Sequence, residues 1–267
     1  AFLRELRGAA GCDVEVVLGA SLADAGPVET SHGRDAVGEM NAAFEVGLDP
    51  AADDVLAAHK LAGRSVLPVA MMLEYFAHAG MHAHPGLGFV GVDDLRVLRG
   101  VVFDQGQRRV RLAIGQALTG NSLLRIPGEL RSSGADGRLT LHATARVLLG
   151  SSPAPGEMGS ELDSLPAWSR SVESAYREIL FHGETLAGIE EILGCGDAGI
   201  SARVRTADRP RTFLREPLRS NWLTDPLVVD CFFQLAILWC FERSGQVCLP
   251  SRVGAYRQYL AYPKGRV

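Results

Sequence analysis

The sequence predicts an α+β fold made of two units of comparable size, each a curved antiparallel sheet around one long central helix. Three observations predict it. Two long apolar segments of helical character, VAMMLEYFAHAGMHAH and LTDPLVVDCFFQLAILWCFERSG, stand far apart in the chain. Strand-like runs joined by short Gly/Asn/Asp-bearing turns follow the first of them. The same kinds of element then return after a linker, which points to internal duplication by element order rather than by residue identity.

Residues 1–35 hold a short element, CDVEVVLG, and a Gly/Pro/Ser-bearing stretch through Gly33; they read as a linker or the tail of an upstream domain. The first unit is expected over 36–150. It opens with EMNAAFEV, whose partial alternation suits a strand, and passes through DPAADD to VLAAHKLAGRSVLP. Met72, Leu73, Phe76, Ala77 and Gly80 then recur at helical spacing, and Pro68 suits a first turn, where its missing N–H costs nothing. A helix over 68–83 follows. FVGVDDLRVLRGVVF, RRVRLAIGQAL, SLLRIPGEL and RLTLHATARVLL read as strands, with DQGQ, TGN and SSGADG as the turns between them.

GSSPAPGEMGSELDSLP makes 151–166 the clearest linker. The second unit, 167–267, begins with a short helical segment around SVESAYREIL. Next come two strands joined by a Gly-rich turn within FHGETLAGIEEILGCGDAGISARVRT, the second long helix, and a strand in RVGAYRQYLAYP. So few strands after that helix suggest a unit truncated at the C-terminus, with the natural domain running beyond Val267.

Composition narrows the function classes. Hydrophobic residues make up 47% and charged residues 22%, so a folded core is expected rather than disorder. A formal charge of −4 and a pI near 6.0 offer no general attraction to nucleic acid; a modest-sized substrate or a protein partner is the better expectation. Of 27 basic residues only Lys60 and Lys264 are lysines, a bias that beside so much Ala and Gly reads as coding rather than function. Cys12, Cys195, Cys231, Cys240 and Cys248 match neither a C-x-x-C pair nor a zinc cluster, and reduced thiols in a cytoplasmic protein are expected. The start AFLRELRG has no apolar signal core. The apolar run 227–241 is too short to span a bilayer and contains Asp230 and Gln234, so it reads as a buried helix and no membrane insertion is expected.

Two places could carry chemistry. Asp230 and Gln234 lie four apart in an apolar helix, hence on one face, one turn from each other. Burial raises a carboxyl pKa, and a neutral acid oriented by an amide is what proton donation to a leaving hydroxyl needs. The competing account is a pair bonded to a neighbouring loop. His59 sits in a tight segment running through Gly63 and Leu67 to Pro68 and the first long helix; neutral, it could accept a proton, and the helix-start N–H groups could polarise a carbonyl. Its competing account is a loop histidine bonded to backbone.

Other features are weaker. Glu74, His78 and His82 share a helical face and resemble a metal site, but opposite the apolar stripe a solvated polar face is the default, and no metal is expected. His182-Gly183 beside Phe181 suits a pocket turn or the start of a strand. LGCGDAG lacks the strand–turn–helix setting of a dinucleotide fingerprint, and neither a phosphate-loop Lys-Ser/Thr nor a G-x-S-x-G elbow occurs.

The segment His59-Lys60-Leu61-Ala62-Gly63-Arg64-Ser65-Val66-Leu67-Pro68 resembles the H-x-x-x-G-x-x-x-x-P signature of dehydratase domains in modular polyketide synthases and related polyunsaturated fatty acid synthases. Asp230-Cys231-Phe232-Phe233-Gln234 resembles their D-x-x-x-Q/H signature, and the ordered pair, each attached to a long apolar helix, is much more specific than either alone. The resemblance covers roughly residues 36–267. It implies a double hot-dog fold, with His59 as general base, Asp230 as general acid and Gln234 holding Asp230. Gly63, Leu67, Pro68 and Val69 are implied around the substrate beside His59. Phe181-His182-Gly183 resembles the family's H-G-P-x-F pocket segment, and Leu249-Pro250 its later Leu-Pro segment. Three departures bear on pocket shape and substrate range: Glu184 stands where proline is usual, the tyrosine of G-Y-x-Y-G-P is not evident, and Ser251 replaces a common phenylalanine.

The implied reaction dehydrates a 3-hydroxyacyl thioester to its normally trans 2-enoyl thioester, with no metal or redox cofactor in the domain. Substrate would arrive on the phosphopantetheine of an acyl carrier protein. Neighbouring synthase domains and a second copy in a homodimer are the other implied partners. The same scaffold leaves open double-bond isomerisation, cyclisation, or a catalytically silent domain kept for dimer contacts or carrier docking.

Overall fold

The computed structural model describes residues 39–104, 106–120, 123–133, 137–151 and 165–259. Strand β1 (Asn41–Leu48) leads to a single helical turn α1 (Asp54–Ala57), a small hairpin of β2 (Lys60–Leu61) and β3 (Arg64–Ser65), and the long helix α2 (Val69–Ala83). Strands β4 (Gly88–Val97), β5 (Arg108–Ile114), β6 (Leu118–Gly120), β7 (Leu123–Ser133) and β8 (Leu139–Gly150) follow. Beyond residue 165 come α3 (Val172–Glu178), β9 (Ile189–Gly196), β10 (Gly199–Val204), the long helix α4 (Pro226–Ser244) and β11 (Arg252–Arg257). CDVEVVLG and most of the linker expected over 151–166 lie outside the described residues.

Alternation along β7 and β8 gives each strand one apolar face, and these faces close on α2. The main sheet runs β1-β5-β7-β8-β4-β11 with antiparallel neighbours, and β6 hangs on β7. Helix α2 crosses this sheet, touching β1, β4, β5, β7 and β8, and every residue from Ala70 to Gly80 is buried. Pro68 is its cap, one position before the first helical residue rather than in the first turn.

Helix α4 is apolar on nearly every side because it is covered on several: by α2 and by the separate β9–β10 hairpin. Its start is well defined. The Asp225 side chain accepts the Val228 N–H at 3.0 Å and Pro226 occupies the first turn. Among the described residues no helix is long and apolar enough to cross a membrane.

Two features depart from expectation. The strand after α4 does not build a sheet of its own: β11 pairs with β4 and makes one sheet continuous across both halves, covering an edge that would otherwise expose unpaired backbone groups. Glu74 and His78 are not on a solvated polar face. Both are buried, and Glu74 accepts from the Leu223 and Thr224 N–H groups (2.9 and 2.7 Å), the Thr224 hydroxyl (2.7 Å) and the His78 ring (3.0 Å). They tie α2 to the entrance of α4, while His82 alone is exposed.

Candidate active site

His59 is held by a piece of turn chemistry. Lys60 pairs with Ser65 and Leu61 with Arg64, so the chain reverses at Ala62-Gly63, both at positive φ (49° and 77°), as a two-residue hairpin turn with primed geometry requires. Glycine enters that region without steric penalty. One rung further out, the Val66 N–H donates to the His59 carbonyl at 3.0 Å, while His59 Nδ1 lies 2.8 Å from the Val66 carbonyl. Nδ1 therefore carries the hydrogen, and Nε2 is left with its lone pair. The spacing from His59 to Gly63 is thus the spacing from the foot of a hairpin to its tip.

His59 also meets the other half of the chain through backbone. It forms an antiparallel bridge with His182, and the Gly183 N–H donates to the Ala58 carbonyl at 2.7 Å. A side chain at 183 would bring a Cβ to 3.1 Å from the Ala58 Cα, so this approach favours glycine. The rings of Phe181 and His182 stack at 4.1 Å, and the His59 ring stands edge-on to both, at 5.1 and 5.4 Å.

Asp230 projects from the second turn of α4 and is held by side chains. The Gln234 amide nitrogen donates to Asp230 Oδ2 and to the Leu186 carbonyl, both at 2.8 Å. The Tyr176 hydroxyl donates to Gln234 Oε1 at 2.7 Å and accepts the Ile189 N–H at 3.1 Å. His182 Nε2 lies 3.3 Å from the same Oδ2. One ligand-type atom each from His59, His182 and Asp230 falls within 4.8 Å of the others, the one such group of three among the described residues.

These groups face a cavity of about 90 Å3. Val66, Leu67, Val69, Met72, Phe181, Phe233 and Ile237 supply apolar wall, and segments 97–100 and 249–251 complete it. Of the residues singled out in the sequence, His59, Leu67, Val69, Phe181, His182, Asp230, Leu249, Pro250 and Ser251 line this space. Gly63 is at the hairpin tip, Pro68 caps α2, Gly183 packs on Ala58 and Gln234 stands behind Asp230; none of the four lines the cavity. In the sequence Met72 is marked only by helical spacing, Ile237 only by lying within the apolar run 227–241, and Tyr176 by nothing beyond membership of a short helix.

Burial decides the protonation states. His59 is lowered to about 4, chiefly by desolvation, against which the Val66 carbonyl works in the opposite direction. His182 is lowered to about 3 by desolvation and then by His59. Desolvation raises Asp230 to about 7, against the Gln234 hydrogen bond, which favours the carboxylate. The 3.3 Å contact between His182 and Asp230 is therefore one between neutral groups rather than an ion pair. Between pH 4 and 7 the cavity presents an unprotonated imidazole opposite a protonated carboxyl group.

Comparison with known proteins gives a consistent picture. Residues 34–126 match the family model described as polyketide synthase dehydratase domain, and residues 157–267 match the one described as polyketide synthase dehydratase N-terminal domain. A polyunsaturated fatty acid synthase polypeptide of Thraustochytrium sp. is 26% identical over 210 residues, which is 78% of this chain but only 7% of that protein. The fold is similar to the dehydratase domain from the CurF module of curacin polyketide synthase (TM-score 0.68, 18% identity, 86% of this chain and 84% of that one). It is also similar to the dehydratase domain of the polyketide synthase PpsC from Mycobacterium tuberculosis (0.62, 18%, 86% and 84%) and a trans-AT dehydratase domain from Brevibacillus brevis (0.62, 17%, 81% and 76%).

Proposed function

The chain belongs to the polyketide synthase dehydratase family, with its double hot-dog fold, and from that premise we propose that it removes water from a 3-hydroxyacyl thioester carried on an acyl carrier protein. The observation that carries this reading is the convergence of His59 and Asp230, from distant parts of the chain, on one buried cavity in opposite protonation states. His59 Nε2 takes the proton from the carbon next to the thioester carbonyl. The C–H electron pair forms the Cα=Cβ bond, the Cβ–O bond breaks, and the departing oxygen takes the proton of Asp230 and leaves as water. The product is the 2-enoyl thioester, normally trans. The thioester makes the α-hydrogen acidic, and the start of α2, with no side-chain cap and with Val69 at the cavity, offers N–H groups to the enolate-like oxygen.

Gln234 holds the acid, and Phe181 and His182 form the wall on which the reacting carbons rest. Related CurK dehydratases were solved as inactive variants, one with a histidine replaced by phenylalanine and one with an aspartate replaced by asparagine, which supports assigning the same two residue types here. The polyunsaturated fatty acid synthase relative favours a place among neighbouring synthase domains, with substrate arriving on a carrier protein's phosphopantetheine; a second copy in a homodimer belongs to the same proposal.

The test is mass spectrometry of a 3-hydroxyacyl thioester, carrier-bound or as a short mimic. Loss of one water, abolished in His59→Ala and in Asp230→Asn, is the expected result. A product of unchanged mass with a ring or a moved double bond points to another reaction on the same scaffold. Inertness of the folded protein toward every chain tested points to a silent domain.

A further inference from the structure

Gln234 can hold Asp230 only if its amide faces the right way. Turned over, it would present Oε1 to the Leu186 carbonyl, oxygen against oxygen. The Leu186 carbonyl can only accept, so the nitrogen must face it. On the other side of the amide stands Tyr176. The Ile189 N–H occupies a lone pair of its oxygen at 3.1 Å, and the phenol hydrogen points to Gln234 Oε1 at 2.7 Å. Burial, with Cys231 and Asp230 nearby, drives the phenol pKa upward, so the hydroxyl remains a donor throughout the working range. Tyr176 does not line the cavity.

We propose that Tyr176 is a positioning residue of this site: its hydroxyl fixes the Gln234 amide and through it the placement and proton-donating strength of the Asp230 carboxyl. The proposal rests on Asp230 acting as the acid. Without the hydroxyl, Oε1 and the Ile189 N–H lose their partner, only the Leu186 carbonyl still orients the amide, and its N–H bond to Asp230 weakens. That bond favours the carboxylate, so its loss raises the carboxyl pKa further while the acid becomes less well placed.

Tyr176→Phe is therefore expected to lower kcat for water loss about tenfold, the scale of one hydrogen bond to an ionisable group, with KM changed by less than about twofold. The alkaline limb of its pH–rate profile should move upward by roughly half to one unit. Tyr176→Phe combined with Gln234→Ala should be no slower than Gln234→Ala alone. Losses that multiply in the double variant, or a limb that stays in place, overturn the proposal.

A readout free of activity is the carbon-13 NMR titration of the Asp230 carboxyl. An upward shift in Tyr176→Phe supports the relay, and an unshifted carboxyl overturns it even where the wild type dehydrates. A shifted carboxyl in a protein that removes no water keeps the relay and fails the dehydratase reading. Should the phenylalanine variant not fold, 3-fluorotyrosine at position 176, a stronger donor on the same ring, is expected to lower the carboxyl pKa. No movement there overturns the proposal equally.

Discussion

The two halves of the site are held by different means. His59 is fixed by backbone: a hairpin closes between it and Val66, a second backbone contact joins Ala58 to Gly183, and its ring hydrogen goes to a carbonyl seven residues on. Asp230 is fixed by side chains from three segments, Gln234 on the same helix, Tyr176 on α3 and His182 on the bridge to the first half. A backbone clamp sets where a ring sits and which nitrogen is free, but does little for its charge. A side-chain network sets both placement and proton affinity, because Gln234 bonds the ionisable group directly and Tyr176 acts on it through Gln234. The base is thus placed by backbone contacts and the acid by side-chain contacts.

The sharpest way to break this comparison is to remove each group in turn. His59→Ala and Asp230→Asn should each lower kcat/KM for water loss by about 10^2 to 10^4, the range of positioned acid–base groups, with an unchanged circular dichroism spectrum. Next in size is Glu74→Ala. Three donors from Leu223 and Thr224 lose their acceptor, so denaturant unfolding should show a loss of about 3 kcal/mol. Because that contact joins α2 to the start of α4, it should weaken the acid's half and the base's half together.

Smaller, and confined to the base's half, is Gly63→Val. A β-branched residue at φ 77° should cost about 1–2 kcal/mol in the same assay, and Gly63→Asn less, since asparagine tolerates this region. If Gly63→Val moved the alkaline limb of the pH–rate profile, the separation between a backbone-set base and a network-set acid would fail.

The same contrast explains what was legible in the sequence. The long helices and most of the first half's strands were visible because periodicity and turn residues are local signals. His59, Gly63 and Pro68 stand in one hairpin-to-helix passage, and Asp230 and Gln234 are one helical turn apart, so each group could be seen as a pattern. Glu74 was misjudged as a surface residue because its partners lie 149 and 150 positions away, on a segment with no recognisable pattern. Tyr176 meets Gln234 across 58 positions and Ile189 across 13, and a tyrosine in a short helix signals neither. The pairing of β11 with β4 was hidden for the same reason: an antiparallel edge accepts any strand of suitable alternation, and the sequence does not say which.

The most direct measurement of the central claim is kcat/KM for water loss from a 3-hydroxyacyl thioester mimic as a function of pH. A base lowered to about 4 must be unprotonated and an acid raised to about 7 must be protonated, so activity should rise through pH 4, hold, and fall through pH 7. A rate that keeps climbing well above pH 7, or an alkaline fall that persists unchanged in Asp230→Asn, would contradict the assignment of Asp230 as the proton donor opposite His59.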